Sequence, residues 1–205
     1  MPDLPAGYLA PLPDGRPFGL RRTSLKPGTE FRRIDATPPA HWNWRGFPEP
    51  RYRFDPESGS FRTRYAGATL AGAVRERYRA SGLVIPADHR DHHLVHLVAI
   101  RNVRVLDLRT EKNLDILHLD DQISTGQHAD VWLTCHRLAD AVRRWWTDVE
   151  AIVYRSRTTP SSSLNVAFST VDGFDVTSRT LGEEPEALTD LVLHQEVTVG
   201  WDLDA

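Results

Sequence analysis

The sequence predicts an α+β domain. After the first 28 residues, short runs that either alternate apolar and polar residues or are rich in apolar, β-branched residues recur along the chain, and both patterns are typical of strands. Two longer segments carry apolar residues at helical spacing. Strand-like and helix-like segments do not follow one another in a regular β-α-β-α order, which indicates the α+β class. At 205 residues the chain is most simply one domain.

Residues 1–28 are rich in proline and glycine, so we expect an irregular N-terminal arm that packs on a single domain formed by residues 29–205. Residues 38–50 are predicted to be a long aromatic loop, and such loops are often functional. A last run, residues 196–201, is expected to close an edge of the sheet. The other predicted strands are residues 31–35, 61–66, 94–100, 103–108, 151–157 and 164–170, with a turn at 159–161.

Two helices are predicted, at residues 69–80 and 129–146, because each segment carries an apolar stripe. Cys135 lies on the second stripe, so we interpret it as a core thiol rather than a nucleophile. Glu76 lies off the centre of the first stripe, and the residues one and two turns before it are small. Its carboxylate is therefore either solvated or faces a cavity.

The amino-acid composition argues against several classes of function. The formal net charge of -3 gives no general attraction to nucleic acid or to an anionic membrane. Residues 45–64 are locally basic, which fits either a solvated face or an anion pocket. A single cysteine rules out an internal disulfide and fits a reducing compartment. No signal peptide or long apolar segment occurs, so a cytoplasmic protein is expected.

Several common chemistries lack their motifs. The sequence contains no G-x-G-x-x-G fingerprint, no complete phosphate loop and no G-x-S-x-G nucleophile elbow. The strongest rival is a zinc site, because His89, His92, His93 and His96 lie close together with two aspartates at positions 88 and 91. No H-E-x-x-H helix accompanies them, so a solvated histidine loop is favoured and no metal ligands are assigned.

Four residues suggest a more specific chemistry: Arg53, Tyr65, Glu76 and Ser156, in that order. An arginine can bind a diphosphate through paired hydrogen bonds, and an aromatic ring can stack on a flat base. A carboxylate can stabilise the oxocarbenium-like sugar that forms when a glycosidic bond breaks. Together these residues predict a site that cleaves the glycosidic bond of a nucleotide.

The same segments resemble the motifs of the RES domain family, which is named for an arginine, a glutamate and a serine. The resemblance covers roughly residues 28–172, and the order and spacing of the motifs make it more specific than any one of them. It is carried by Phe31-Arg32-Arg33-Ile34, Arg51-Tyr52-Arg53-Phe54-Asp55, Arg64-Tyr65-Ala66-Gly67 with Ala71 and Glu76, Val105-Leu106-Asp107-Leu108, Val153-Tyr154-Arg155-Ser156-Arg157 and Asn165-Val166-Ala167-Phe168.

The resemblance implies a fold like that of the ADP-ribosyltransferases, with a mixed, largely antiparallel sheet and flanking helices. It also implies a toxin that consumes NAD+ by hydrolysis, phosphorolysis or ADP-ribosyl transfer, with no cofactor beyond that substrate. Many RES domains are paired with an Xre-type helix-turn-helix antitoxin, and family members are often dimers, so both kinds of partner are expected. A catalytically silent module that binds a nucleotide or a partner is the alternative function.

The resemblance also assigns roles to residues. Glu76 would stabilise the ribose cation, Tyr65 would stack on nicotinamide, and Arg33 or Arg53 would bind the diphosphate. Both arginines match a family motif, so both are expected to line the site. Ser156 would hold a phosphate or a ribose hydroxyl, and Asn165 is included among the nucleotide-binding residues.

Overall fold

The computed structural model describes residues 4–157 and 164–203, and its fold class is α+β as predicted. Within these residues, eight strands form the main sheet and two short strands form a second sheet. The main sheet has the order β1-β6-β7-β8-β3-β2-β5-β9, and the second sheet pairs β4 with β10. The strands are β1 Arg22–Leu25, β2 Glu30–Asp35, β3 Arg64–Gly67, β4 Val84–Ile85, β5 His93–Ala99, β6 Val103–Asp107, β7 Ala151–Arg155, β8 Leu164–Phe168, β9 Phe174–Thr180 and β10 Thr198–Val199.

The main sheet is largely antiparallel, with β6 and β7 as its parallel pair among the described residues. One pairing in its centre is unusually short. β2 pairs with β5 over all six of its residues but shares with β3 only the pair Arg32 and Gly67. The sheet therefore opens between β2 and β3 just beyond this pair.

Helices flank the sheet. Their bounds are α1 Ala6–Leu9, α2 Leu70–Tyr78, α3 Glu111–Leu117, α4 Gln122–Thr125, α5 Ala129–Trp145 and α6 Pro185–His194, and short 3-10 turns occur at 39–41, 79–81, 87–89 and 181–183. No helix of the described residues is long and apolar enough to cross a bilayer.

The local sequence explains the two helices that matter most for the pocket. The hydroxyl of Thr69 accepts a hydrogen bond from the Gly72 amide at 3.0 Å, which caps the start of α2. The apolar stripe of α2 is buried, and the chain leaves the helix region at Gly82, whose φ of 68° suits glycine. The stripe of α5 is also buried and includes Cys135, which has no exposed surface. Burial raises the pKa of this thiol to about 12, as expected for a core cysteine.

The core lies on both faces of the sheet. One cluster joins α1, α3, α4 and α5 to one face, and a second packs the strands around Phe31. The Phe31 ring meets those of Phe168 and Phe174 edge to face, with ring centres 5.9 and 6.4 Å away. A third cluster packs α2 and α6 against β2.

Most predicted elements are confirmed near their predicted positions, with informative differences. Residues 61–63 are not strand, since β3 begins at Arg64. The prediction that residues 196–201 close the edge of the main sheet is wrong, because β10 pairs in parallel with β4 instead. The strands β1 and β9 were not predicted from the sequence, and the predicted turn at 159–161 lies outside the described residues.

The division into an arm of residues 1–28 and a domain of residues 29–205 stays a prediction. Within the described part of that arm, α1 is helical and β1 pairs with β6 at one edge of the main sheet. Tyr8 and Leu20 belong to the core cluster that includes α5. The segment therefore contributes regular structure and buried side chains.

Replacing Phe31 by alanine should lower the free energy of unfolding by about 3–5 kcal/mol, because the ring is fully buried among other rings and leaves a cavity. Phe18→Ala is the matched control, since Phe18 is fully exposed and should have almost no effect. Urea unfolding of the parent and both variants measures the difference. Equal midpoints for the two variants would contradict the packing assigned to Phe31.

Candidate functional site

A cavity of about 360 Å³ lies where the sheet opens between β2 and β3. This volume is within the range of small-molecule sites, about 300–1,000 Å³. Its lining comes from β2, β3, α2, α4, α5, β7 and the loop before β3. The lining residues are Arg32, Arg33, Ile34, Tyr52, Arg53, Arg62, Thr63, Tyr65, Ala66, Gly67, Ala73, Glu76, Arg77, Ser124, Trp132, Tyr154 and Arg157.

The lining is strongly cationic. Among the residues that the structure describes, six arginines and one carboxylate, that of Glu76, line the cavity. Burial and the charges of Arg79 and Arg53 lower the pKa of Arg157, which shows how closely positive groups are gathered here. A concave, electropositive site of this kind attracts anions such as phosphate groups.

Arg33 bridges the opening between β2 and β3. Its Nη1 donates to the carbonyl of Tyr65 at 2.7 Å, so a side chain satisfies a β3 carbonyl beyond the end of the β2–β3 ladder. Its Nε and Nη2 both lie 2.8 Å from Oδ2 of Asp35. Arg33 therefore lines the pocket with its charge already paired.

Asp35 holds a second arginine from the other side of the opening. Arg64, which is 4% exposed, donates to the same Oδ2 at 2.7 Å. Its guanidinium also lies over the rings of Trp42 and Trp44, at 4.5 and 5.5 Å from their centres. Burial alone would raise the pKa of Asp35, but the charges and hydrogen bonds of Arg33 and Arg64 lower it.

The turn that carries Arg53 is fixed by Asp55. Oδ2 of Asp55 accepts hydrogen bonds from the amides of Arg51 and Tyr52 at 3.0 and 2.9 Å. Its other oxygen accepts from the hydroxyl of Thr63 at 2.8 Å, which ties the turn to the segment before β3. Asp55 is 1% exposed, so these bonds hold the turn rigidly and direct Arg53 inward.

Arg53 is the buried cation of the site. Its Nη1 donates to the carbonyl of Ile123 at 3.1 Å and its Nη2 to the carbonyl of Gly126 at 2.7 Å. The guanidinium lies 5.3 Å from the ring centre of Trp132. Among the described residues, no carboxylate forms an ion pair with Arg53. Its charge therefore stays available to an anion in the pocket.

Tyr65 contributes a fixed aromatic ring. Its hydroxyl accepts a hydrogen bond from the Phe54 amide at 2.7 Å, and the Tyr52 and Tyr154 rings lie 5.9 and 6.4 Å from its own. Burial raises the pKa of both Tyr65 and Tyr154, so both hydroxyls stay protonated at neutral pH. The tyrosines form an uncharged aromatic wall beside the arginines.

The carboxylate of the site projects from α2. Glu76 is an exposed residue of the helix and lines the cavity, as one of the two interpretations of the sequence predicts. Ser156, which directly follows β7 and is buried, donates from its hydroxyl to Oε1 of Glu76 at 3.1 Å. Two residues eighty positions apart in the sequence thus meet at one wall of the pocket.

The structure brings together most of the predicted site residues. Arg33, Arg53, Tyr65 and Glu76 line the cavity, and Ser156 joins them through Glu76. Asn165 pairs with Gly67 and with Tyr154 in the sheet, but its side chain lies outside the described part of the structure. The chemical roles assigned to these residues remain predictions.

Sequence reasoning missed several lining residues, above all Ser124 and Trp132. Ser124 is 1% exposed, and its hydroxyl accepts from the Arg155 amide at 3.3 Å. Trp132 stands at an apolar position of the α5 stripe, where a core residue and a pocket residue give the same pattern. Only the tertiary contacts distinguish the two.

The histidines considered as a zinc site do not converge. The ring of His89 stacks on that of His92 at 3.8 Å, and its Nδ1 contacts the Tyr78 hydroxyl. His96 instead contacts Glu30 at 3.2 Å. Across residues 4–157 and 164–203, no three His, Cys, Asp or Glu side chains are grouped to hold a metal ion.

Comparison with known proteins gives one family match. The profile of the RES domain family matches residues 29–190. Among solved structures, the chain is similar to one in a crystal structure of the M. tuberculosis MbcT–MbcA toxin–antitoxin complex, with a TM-score of 0.48 and 15% identity. That alignment covers 81% of this chain and 92% of the other. A comparison with curated protein sequences gives no match.

Asp35→Asn should destabilise the protein at neutral pH by about 3 kcal/mol, because it leaves the buried guanidinium of Arg64 and the half-buried one of Arg33 without their counter-ion. The folded-state pKa of Asp35 is lowered, so its carboxylate stabilises the fold above the unfolded value of about 3.9. This contribution is lost as the pH falls through the folded-state pKa. The difference between parent and variant should therefore shrink as the pH falls from about 5 towards 2.

Urea unfolding across this pH range measures the effect. Glu30→Gln is the control, because Glu30 is an exposed carboxylate that also contacts an arginine and should matter little. A difference between parent and Asp35→Asn that does not change with pH would contradict the ionised pair.

Proposed function

This chain belongs to the RES domain family, and from that membership and the geometry of its pocket we propose that it is a toxin-like enzyme that consumes NAD+. The bond cleaved is the one between nicotinamide and ribose. The observation that carries the proposal is that Glu76, held by Ser156, shares one cationic cavity with Arg53 and Tyr65.

The arginines suit the diphosphate of the substrate. A guanidinium forms paired hydrogen bonds with phosphate oxygens, and desolvation strengthens them. Arg53 has no carboxylate partner among the described residues, whereas Arg33 is paired with Asp35. We therefore assign the main diphosphate contact to Arg53, and to Arg33 the task of holding the pocket open between β2 and β3.

The aromatic wall suits the base that leaves. Nicotinamide in NAD+ is a flat, cationic ring, and the face of a tyrosine ring attracts such a cation. Tyr65 is held by its hydroxyl and by two neighbouring rings, so it offers a fixed surface for stacking. When the bond to ribose breaks, the ring loses its charge and this attraction weakens, which favours release of nicotinamide.

The carboxylate suits the reacting sugar. Cleavage of the bond between ribose C1′ and the nicotinamide nitrogen leaves the electron pair on that nitrogen and positive charge on the ribose. Glu76 would accept a hydrogen bond from a ribose hydroxyl and stabilise the cation electrostatically. A nucleophilic atom of the acceptor then bonds to C1′ through its lone pair, and a proton that this atom carries passes to solvent. Ser156 would hold one carboxylate oxygen in place by the hydrogen bond observed here.

The acceptor is water, phosphate or a protein side chain, and all three use the same first step.

The RES resemblance further implies an Xre-type helix-turn-helix antitoxin as partner, and a homodimer of the toxin. An antitoxin that covers the pocket would block entry of the dinucleotide.

Glu76→Gln should lower the rate of NAD+ consumption by about two orders of magnitude, because it preserves the shape of the side chain but removes the charge that stabilises the ribose cation. The measurement is NAD+ loss with identification of nicotinamide and of the second product. Glu186→Gln, an exposed glutamate on α6 away from the cavity, is the matched control and should match the parent.

The outcomes separate the enzyme from the alternative function. An equally fast Glu76→Gln variant would discard the role assigned to this carboxylate. Binding of NAD+ by the parent without any turnover would instead favour a silent binding module. The second product would identify the acceptor.

Arg53→Lys should raise the KM for NAD+ by about tenfold or more, with a smaller change in kcat, because a diphosphate contact is made in both the ground state and the transition state. Arg33→Lys is the comparison, since its guanidinium is already paired with Asp35. Steady-state kinetics of both variants measure the effect. A larger increase in KM for Arg33→Lys than for Arg53→Lys would assign the main diphosphate contact to Arg33 instead.

A further inference from the structure

The first described residues lie outside the segment matched to the RES family, yet they contact a part of the chain that forms the pocket. The match begins at residue 29, whereas α1 comprises Ala6–Leu9. We call residues 4–9 the N-terminal clamp. It packs beside the segment 117–126, which leads from α3 through α4 to the pocket.

The clamp fits closely against the end of α3. The amide of Gly7 donates to the carbonyl of His118 at 3.0 Å. A Cβ atom at Gly7 would lie 2.4 Å from the carbonyl oxygens of both Leu117 and His118, so only glycine permits this approach. His118 itself has a φ of 54°, in the left-handed region. The chain thus takes an unfavourable backbone conformation at the point where the clamp docks.

Tyr8 extends the contact to the start of α4. Its hydroxyl donates to the backbone carbonyl of Asp120 at 3.2 Å and to Oδ1 of the same residue at 3.0 Å. Tyr8 is 5% exposed and packs in the same cluster as Ile123 and Cys135. Burial and Asp120 raise the pKa of Tyr8, so the hydroxyl keeps the proton that it donates.

Asp120 in turn fixes α4. Its Oδ1 accepts from the Gln122 amide at 3.0 Å, and its carbonyl accepts from the Ile123 amide at 3.1 Å. The same two oxygens that Tyr8 contacts therefore hold the first turn of α4. This helix has only four residues and has little stability of its own.

The far side of α4 faces the pocket. The carbonyls of Ile123 and Gly126 are the hydrogen-bond acceptors that hold the guanidinium of Arg53. Ser124, between them, lines the cavity and accepts from the Arg155 amide. An unbroken series of hydrogen bonds and helix contacts thus connects Tyr8, through Asp120 and α4, to Arg53.

We propose that Tyr8 is a positioning residue for nucleotide binding, and that the N-terminal clamp acts by holding α4 where its carbonyls orient Arg53 towards the diphosphate. The identity of the ligand in this proposal rests on the function proposed above. The contacts from Tyr8 to Arg53 do not depend on that function. Binding affinity should then depend on a segment that precedes the family-matched region.

Tyr8→Phe tests the proposal, because it removes the donated hydrogen bonds but keeps the ring in the core. Trp145→Phe is the matched control. Nε1 of Trp145 donates to the carbonyl of Pro13 at 3.2 Å, so this variant breaks another contact of the N-terminal segment without touching α4. Both variants are studied well below their unfolding temperatures.

The first measurement is amide hydrogen exchange of the full chain without ligand, and it does not depend on the proposed function. Tyr8→Phe should speed exchange at the amides of Ile123, Gly126 and Arg155, whereas Trp145→Phe should leave them unchanged. Unchanged exchange in Tyr8→Phe would overturn the proposal whatever the protein binds.

The second measurement is titration of NAD+ and of inorganic pyrophosphate into the Glu76→Gln background, which should bind without rapid turnover. Tyr8→Phe should weaken both affinities by roughly fivefold, the effect of one net hydrogen bond. The weakening should disappear when Arg53→Lys is already present, because the two changes act through the same group. A purely structural effect of Tyr8 would persist in that background and would overturn the proposal.

The two proposals can fail separately. Pyrophosphate binding that depends on Tyr8 and Arg53, with no binding of NAD+, would reject NAD+ as ligand but keep the clamp as a device for anion binding. Binding of NAD+ that is unaffected by Tyr8→Phe would keep the function and reject the clamp. Binding of neither ligand would overturn both.

Discussion

The site depends on the opening of the sheet between β2 and β3. The two strands share one residue pair, and beyond it their backbones need other hydrogen-bond partners. Arg33 supplies a donor to the Tyr65 carbonyl, while Asp35 pairs with Arg33 from its own strand and with Arg64 from the other. One carboxylate thus joins the two strands across the gap. Side chains thus bridge the two strands where their backbone pairing ends, and the pocket lies at this opening.

Arg53 and the arginines next to Asp35 have different kinds of partner. Those next to Asp35 have their charges paired and keep the pocket open, whereas Arg53 is held by the carbonyls of Ile123 and Gly126. Backbone carbonyls orient a guanidinium but cannot neutralise its charge. A buried cation fixed in this way is suited to an anionic ligand, because it needs no reorientation when the ligand arrives.

Much of the fold could be predicted from local pattern. The α5 stripe is visible in the sequence as apolar residues at helical spacing, and the paired strands near residues 94–107 as apolar, β-branched-rich runs. The edge strand β9 was not predicted, and the terminal strand β10 was predicted in the wrong sheet. β9 lies at the sheet edge, and β10 pairs with a two-residue strand that no local pattern indicates. Whether a strand lies at the edge of a sheet, and which strand it pairs with, depends on residues that are far away in the sequence.

The sequence by itself determined the fold class, the buried stripe containing Cys135, and the set Arg53, Tyr65 and Glu76 that the cavity brings together. The first two follow from periodicity and residue chemistry along the sequence, and the site residues follow from the order of motifs that resembles the RES domain family. Only the tertiary structure decided that Arg33 pairs with Asp35 while backbone carbonyls hold Arg53, and that Ser124 joins the pocket. Ion pairing and burial depend on groups far apart in the chain, so no local pattern can specify them.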